Sequence, residues 1–184
     1  EHLSQYWWTY ALMIARQWGI IYPCIKDKIT SFIDVNGVEI IDYGCGQGGA
    51  SLLFLDKFYK NFKKNISKIK LIDAGSLALQ RAKMILECYS SDIQIVAINK
   101  DLDDLETKDL KTDQNLWKIH LFSNVLDVEN FKIPELFSKL FKNIKESIGK
   151  HSLIAVSHDR DDYGGSERLK DFYSRFINTK NNDL

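Results

Sequence analysis

The chain has 184 residues, enough for one domain with a sizeable core. There are 25 basic residues (lysine plus arginine) and 25 acidic residues (aspartate plus glutamate), so the formal net charge is zero. This balance excludes an overall electrostatic field that would draw the chain to nucleic acid or a membrane. The three scattered cysteines fit neither a disulfide framework nor a zinc site, and no segment approaches the ~18 apolar residues of a membrane span. We therefore expect a cytoplasmic protein that contacts no membrane and binds no metal.

Residues 1–36 are predicted to form a helical extension ahead of an α/β domain at 37–184. A helix over residues 3–18 is predicted by an apolar face whose members recur at i, i+4, i+7 and i+11: Trp7, Ala11, Ile14 and Trp18. Gly19 is expected to end this helix, and Pro23 is expected to open a second one. The start at Glu1, without methionine, is typical of a processed product or an excised piece of a longer protein.

Strands and helices then alternate along the rest of the chain. Strands are predicted at 38–42, 69–73, 93–98, 117–123 and 153–157. Helices are predicted at 50–62, 77–89 and 134–148, and a last one begins at 166. This alternation predicts right-handed crossovers and a doubly wound α/β fold with a mostly parallel sheet.

Four glycines fall within six positions after the first strand, in the stretch IIDYGCGQGGAS at 40–51. In a doubly wound sheet this loop lies at the carboxyl edge, where ligands bind, and glycine lets a ligand approach the backbone. The stretch also satisfies the dinucleotide pattern G-x-G-x-x-G, so an NAD site stays open. Asp42, at the end of the strand, would repel a pyrophosphate and attract a cofactor that carries an ammonium group beside a sulfonium.

This stretch resembles motif I, D-x-G-x-G-x-G, of the class I S-adenosylmethionine-dependent methyltransferases, and the resemblance extends over residues 38–177. It implies a Rossmann-like methyltransferase fold and S-adenosyl-L-methionine as the cofactor. It also implies that the cofactor is held by the end of the first strand and the loop after it: Asp42, Tyr43, Gly44, Cys45, Gly46, Gln47 and Gly48.

The resemblance implies further cofactor contacts at the ends of the next strands. Asp73, followed by Ala74, stands where the family binds the ribose hydroxyls, and a carboxylate can accept from both hydroxyls. Asp101 and Leu102 stand where the family contacts adenine. The loop after the fourth strand, with Ser123 and Asn124, is expected to close on the methyl group.

The sequence departs from the family pattern in two places. Asp73 follows Asp42 by 31 positions (73 − 42), whereas ~20 separate loop and acid in typical nucleotide folds. The family usually completes its sheet with two more strands, the last one antiparallel, and too few residues follow Ile177 to form them. We expect a fragment, a smaller sheet, or a partner chain or missing C-terminal segment that covers the sheet edge.

Candidates for chemistry and substrate contact lie near both ends of the chain. His158 and Asp159 are the candidate catalytic residues, with Arg160 and Tyr163 as candidate substrate contacts, although a solvated loop is the alternative. At the N-terminus, Trp8 and Tyr10 lie off the apolar stripe and are further substrate candidates. The loop after the fourth strand lacks the Asn/Asp-Pro-Pro-aromatic pattern of enzymes that methylate amino groups, which disfavours that subclass. No cysteine follows the fourth or fifth strand, which argues against the cysteine-dependent methylation of pyrimidine C5.

The expected activity is methyl transfer to an acceptor that the sequence does not assign. RNA is slightly favoured over a small molecule or a protein, because of the aromatic residues near the N-terminus and two lysine-rich stretches. These contain Lys57, Lys60, Lys63, Lys64, Lys68 and Lys70, and then Lys139, Lys142 and Lys145. The alternatives are a catalytically silent cofactor-binding module that scaffolds or regulates a partner and, less favoured, an NAD-dependent oxidoreductase.

Overall fold

The computed structural model of the protein describes residues 2–30, 37–62, 65–89, 91–113, 115–126, 133–158 and 165–181. The helices are α1 (His2–Thr30), α2 (Gly49–Phe62), α3 (Ser76–Tyr89), α4 (Thr107–Leu110), α5 (Ile133–Glu146) and α6 (Gly165–Asn181). The strands are β1 (Val38–Tyr43), β2 (Ile66–Asp73), β3 (Gln94–Asn99), β4 (Trp117–Ser123) and β5 (His151–Val156). None of the described helices combines the length and the apolar character needed to cross a bilayer.

The five strands form one parallel sheet in the order β3-β2-β1-β4-β5. The chain winds from β1 outward through β2 to β3, then returns to the other side of β1 for β4 and β5. The direction of winding therefore reverses between β1 and β4. The predicted doubly wound α/β fold is confirmed.

Two hydrophobic cores lie on opposite faces of the sheet. Along β1, Ile40 belongs to the core shared with α1, α2 and α3, whereas Ile41 belongs to the core shared with α4, α5 and α6. Every residue of β1 is buried. This double burial explains why the central strand reads as an almost continuous apolar run.

The N-terminal segment is one helix rather than two. The predicted end at Gly19 and the predicted new start at Pro23 are wrong, because α1 runs through both residues. An interior proline costs a helix about 3 kcal/mol, so packing on both sides must hold α1 together. Trp18, before the proline, and Ile29, after it, are both buried in the same core.

Within the described part of the chain, β5 pairs only with β4 and forms one edge of the sheet. A groove of about 760 Å³ follows this edge, and it is lined mostly by apolar side chains of α1, β5 and α6. A further strand or a partner chain would add to the sheet here. That such a segment covers the edge stays a prediction.

A chain of polar side chains crosses the sheet face that α5 and α6 cover. The Tyr43 hydroxyl lies 3.0 Å from Nδ1 of His120, whose Nε2 lies 2.9 Å from Nδ1 of His151. The other ring nitrogen of His151 lies 2.5 Å from the Ser147 hydroxyl. Burial lowers the pKa of His120 well below its usual value and lowers the pKa of His151 to about 4. Both rings are therefore neutral near pH 7.

This pair makes stability depend on pH. Because the folded-state pKa values lie below ~6.5, the unfolded chain takes up protons first as the pH falls. We expect the free energy of unfolding to fall between pH 7 and 5, and we expect His151→Asn to remove part of that dependence. Urea denaturation of both proteins at the two pH values measures the effect. Equal pH dependence in wild type and variant would contradict the assignment of neutral, buried histidines.

Candidate functional site

A cavity of about 590 Å³ lies at the carboxyl edge of the sheet, at the point where the winding reverses. Its walls come from the loop after β1, the ends of β2, β4 and β5, and the N-terminal half of α1. Ligands of doubly wound folds bind at this position. The cavity is therefore the candidate functional site.

The glycine loop after β1 brings two loops together and leaves backbone exposed in the cavity. Gly44 has φ 62°, and a Cβ there would lie 2.3 Å from Cγ2 of Val125 in the loop after β4. Gly46 has φ 52°, and among the described residues the only neighbouring atom within 4 Å of a Cβ there is the Tyr6 hydroxyl oxygen, at 3.9 Å. Gly44 thus permits the close packing of the loops, whereas Gly46 leaves room for a ligand beside the main chain.

Asp42 places a buried carboxylate on the cavity wall. Its Oδ2 accepts hydrogen bonds from the Ser51 hydroxyl at 2.6 Å and from the Ser51 backbone N–H at 3.3 Å. Its Oδ1 has no hydrogen-bond partner among the described residues. Burial raises the pKa of Asp42 to about 7, although the Ser51 hydrogen bonds oppose the shift. This oxygen can accept a hydrogen bond from a cationic donor in the cavity.

Asp73 ties the end of β2 to the glycine loop. Its Oδ2 accepts from the backbone N–H of Gly46 at 2.8 Å, and its Oδ1 accepts from the N–H of Gly75 at 2.7 Å. Each carboxylate oxygen can accept more than one hydrogen bond. Asp73 can therefore shape the loop and still accept from hydroxyl groups of a ligand.

The loop after β4 adds two polar groups to the wall. The Ser123 hydroxyl is buried and has no hydrogen-bond partner in the described part of the chain. Asn124 has φ 55°, a left-handed conformation, and its backbone N–H donates to the Val156 carbonyl at 2.7 Å. A ligand in this cavity would meet both side chains.

One face of α1 forms a wall that the sequence analysis mostly missed. Tyr6, Tyr10 and Met13 line the cavity, and the rings of Tyr6 and Tyr10 lie 4.4 Å apart. Next in this stripe is Gln17, which contacts Asn124. Spacings of three and four residues from Tyr10 would have indicated this stripe. The predicted apolar stripe also reaches this cavity, since Trp7, Ala11 and Ile14 line it, whereas Trp18 is buried in the core.

The structure brings most of the sequence-predicted residues to the cavity. The predicted residues that line it are Asp42, Gly44, Cys45, Gly46, Gln47, Asp73, Ser123, Asn124, Tyr10 and His158. Nε2 of His158 lies beside Sδ of Met13 on α1. Asp159, Arg160 and Tyr163 lie outside the described residues.

Six predicted residues do not line the cavity. The Tyr43 side chain lies on the sheet face that α5 and α6 cover, because it follows Asp42 and side chains alternate along a strand. Trp8 is 80% exposed, since it lies about 200° around the helix from Tyr10. Leu102 is buried in the second core, and Asp101 is exposed, where its Oδ1 accepts from the N–H of Asp103. The remaining two are Gly48, which packs against α3, and Ala74.

Several solved structures that are similar to this chain are described as methyltransferases. An S-adenosylmethionine-dependent methyltransferase from Clostridium acetobutylicum is 13% identical, with 81% of this chain and 54% of that chain covered and a TM-score of 0.48. One from Mesorhizobium loti is 19% identical, with 67% and 47% covered and a TM-score of 0.42.

A third similar structure is geranyl diphosphate C-methyltransferase from Streptomyces coelicolor, in complex with Mg²⁺, geranyl diphosphate and S-adenosyl-L-homocysteine. It is 12% identical, with 61% of this chain and 37% of that chain covered and a TM-score of 0.39. The chain thus spans about half the length, or less, of these three proteins. No protein-family model matches the sequence, and no curated protein does.

Replacement of Gly44 tests the packing of the two loops. We expect Gly44→Ala to lower the free energy of unfolding by about 2–4 kcal/mol, because the new methyl group would overlap Val125 and strain the backbone. Urea denaturation measures the change. Gly19→Ala is the matched control, since no other described part of the chain comes within 4 Å of its Cβ position and alanine favours a helix. A Gly44→Ala protein as stable as wild type would contradict the described loop packing.

Proposed function

We propose that the chain is the S-adenosylmethionine-binding part of a methyltransferase. The observation that supports this most is the unpartnered, buried Oδ1 of Asp42 on a cavity wall beside the exposed backbone at Gly46. A buried carboxylate oxygen without a hydrogen-bond partner is costly, and a bound cation would offset that cost.

The residues present fit this cofactor better than they fit a dinucleotide. The charged side chains that line the described cavity are the carboxylates Asp42 and Asp73, and no lysine or arginine is among its described lining residues. A pyrophosphate would meet the carboxylate of Asp73 and, in its ionised form, that of Asp42. The ammonium group of S-adenosylmethionine would pair with Asp42, and the ribose hydroxyls would donate to Asp73.

The protein's part in the reaction is alignment and proton handling. S-adenosylmethionine, held by Asp42, Asp73 and the loop after β1, would supply an activated methyl group. Ser123 and Asn124 border the space where the acceptor would approach, and α1 excludes water from one side. His158, on the same wall, can take a proton from an acceptor that must lose one.

We propose a small acceptor rather than RNA. Three described lysines of the predicted basic stretches are engaged elsewhere, whereas Lys57 and Lys142 are exposed. Lys68 pairs with Glu39 and Asp113, Lys70 donates to main-chain carbonyls, and Lys139 donates to the Asp103 carbonyl. The cavity wall instead presents Tyr6, Tyr10 and Met13. We propose an acceptor that offers apolar or aromatic surface to α1.

Calorimetry with S-adenosylhomocysteine and with NADH tests the proposal. We expect the wild-type protein to bind the former and not the latter. Asp73→Ala should weaken binding by about 1–3 kcal/mol, because hydrogen bonds to a charged group are lost. Asp101→Ala is the matched control, since Asp101 does not line the cavity. Binding of NADH without binding of S-adenosylhomocysteine would overturn the proposal.

Binding should also release a proton below pH 7. The pKa of Asp42 is about 7 in the structure, and the ligand's ammonium group would favour the ionised carboxylate. The affinity for S-adenosylhomocysteine should therefore fall as the pH drops below 7, by up to about tenfold per pH unit. Calorimetry at pH 6 in buffers of different ionisation enthalpy counts the released protons. Proton uptake, or no exchange between pH 6 and 8, would show that Asp42 does not receive the ammonium group.

The pH at which the affinity for S-adenosylhomocysteine begins to fall should depend on the hydrogen bonds that Asp42 accepts. Ser51→Ala removes the hydroxyl that donates to Oδ2 at 2.6 Å and favours the ionised form. The pKa of Asp42 should rise further, so the loss of affinity should begin at a higher pH than in wild type. The same calorimetric titration measures the shift, and an identical pH profile in the two proteins would contradict it.

A further inference from the structure

Two side-chain amides join α1 to the loop after β4. Nε2 of Gln17 donates to Oδ1 of Asn124 at 3.0 Å, and Nδ2 of Asn124 donates to Oε1 of Gln17 at 2.8 Å. Both side chains are partly buried, and 107 positions separate them in the sequence. The pair therefore links the N-terminal helix directly to a residue of the cavity wall.

The backbone of Asn124 is fixed independently of this pair. Its φ of 55° is unusual for a residue with a side chain, and its N–H is bound to the carbonyl of Val156 at the end of β5. Asparagine tolerates this conformation better than most residues do. The main chain thus fixes the position of the Asn124 Cβ, and the hydrogen bonds to Gln17 fix the orientation of the side-chain amide.

The rotation of α1 fixes Gln17 in turn. Trp18, the next residue, is buried in the core, where its ring meets Phe54 edge to face at 6.3 Å. Ile14, three positions before Gln17, lies 3.5 Å from the Cβ position at Gly49. These contacts hold the helix so that Gln17 faces the carboxyl edge of the sheet.

The amide pair leaves part of Asn124 for a ligand. A carboxamide has two N–H donors and an oxygen with two lone pairs. The pair with Gln17 uses one N–H and one lone pair of Asn124. The second N–H and the second lone pair stay in fixed directions on the cavity wall, and a group held in this way loses less freedom on binding.

We propose that Gln17 is a positioning residue for the cofactor site, which acts by orienting Asn124 and by holding α1 across the cavity. This inference rests on the proposed function. It predicts that loss of the amide pair accelerates the release of S-adenosylhomocysteine, because the pair joins two walls of the cavity that would hold the ligand. Association should change less than release does.

Stopped-flow measurement of S-adenosylhomocysteine binding tests the role of Gln17. Gln17→Ala should raise the dissociation rate by about three- to tenfold, the range expected for one or two lost hydrogen bonds. Gln17→Glu keeps an oxygen that accepts from Nδ2 of Asn124 and should give an intermediate rate. Asn124→Ala combined with Gln17→Ala should release the ligand no faster than Asn124→Ala alone, because both changes remove the same interaction.

Controls separate this role from a general loss of stability. Gln5→Ala makes the same substitution at an exposed position of α1 and should leave the rate unchanged. Urea denaturation of each variant measures unfolding, which a purely structural role would affect without a change in release. If Gln17→Ala releases the ligand at the Gln5→Ala rate, the inference is overturned alone. If the wild-type protein does not bind S-adenosylhomocysteine, the proposed function falls and this inference falls with it.

Discussion

The site depends on the buried carboxylate of Asp42, in which one oxygen accepts hydrogen bonds and the other has no partner among the described residues. Asp42 ends β1, and one of its oxygens is bound to Ser51 in the first turn of α2. This contact joins the central strand to the helix that follows the glycine loop. The other oxygen is buried and has no hydrogen-bond partner among the described residues, and burial raises the pKa of the carboxyl group. A cationic ligand would offset the cost of this burial.

The rest of the fold places groups around that carboxylate. Asp73 joins the glycine loop to the end of β2 by accepting a hydrogen bond from the N–H of Gly46. The side chain of Val125 occupies the position that a Cβ at Gly44 would take. On the other side, α1 crosses from the glycine loop to Asn124. Strand order explains why residues so distant in the sequence meet, because the ends of β2, β1 and β4 are neighbours at one edge.

Much of this arrangement could be predicted from the sequence, because local patterns determine it. Apolar runs marked the strands, and the dense glycines after Asp42 marked the ligand loop. Tertiary packing decided what the sequence could not show. Pro23 suggests a helix start, yet burial on both sides keeps α1 continuous. Likewise, Tyr6 lines the cavity and Trp8 does not, because the burial of Trp18 determines which side of α1 faces the sheet.

A carbon NMR titration of the Asp42 carboxyl group, with and without S-adenosylhomocysteine, shows whether this carboxylate receives the ligand's ammonium group. The account predicts a pKa near 7 in the free protein and a clearly lower pKa in the complex. A pKa near the ordinary aspartate value of ~3.9 in the free protein, unchanged by the ligand, would contradict it.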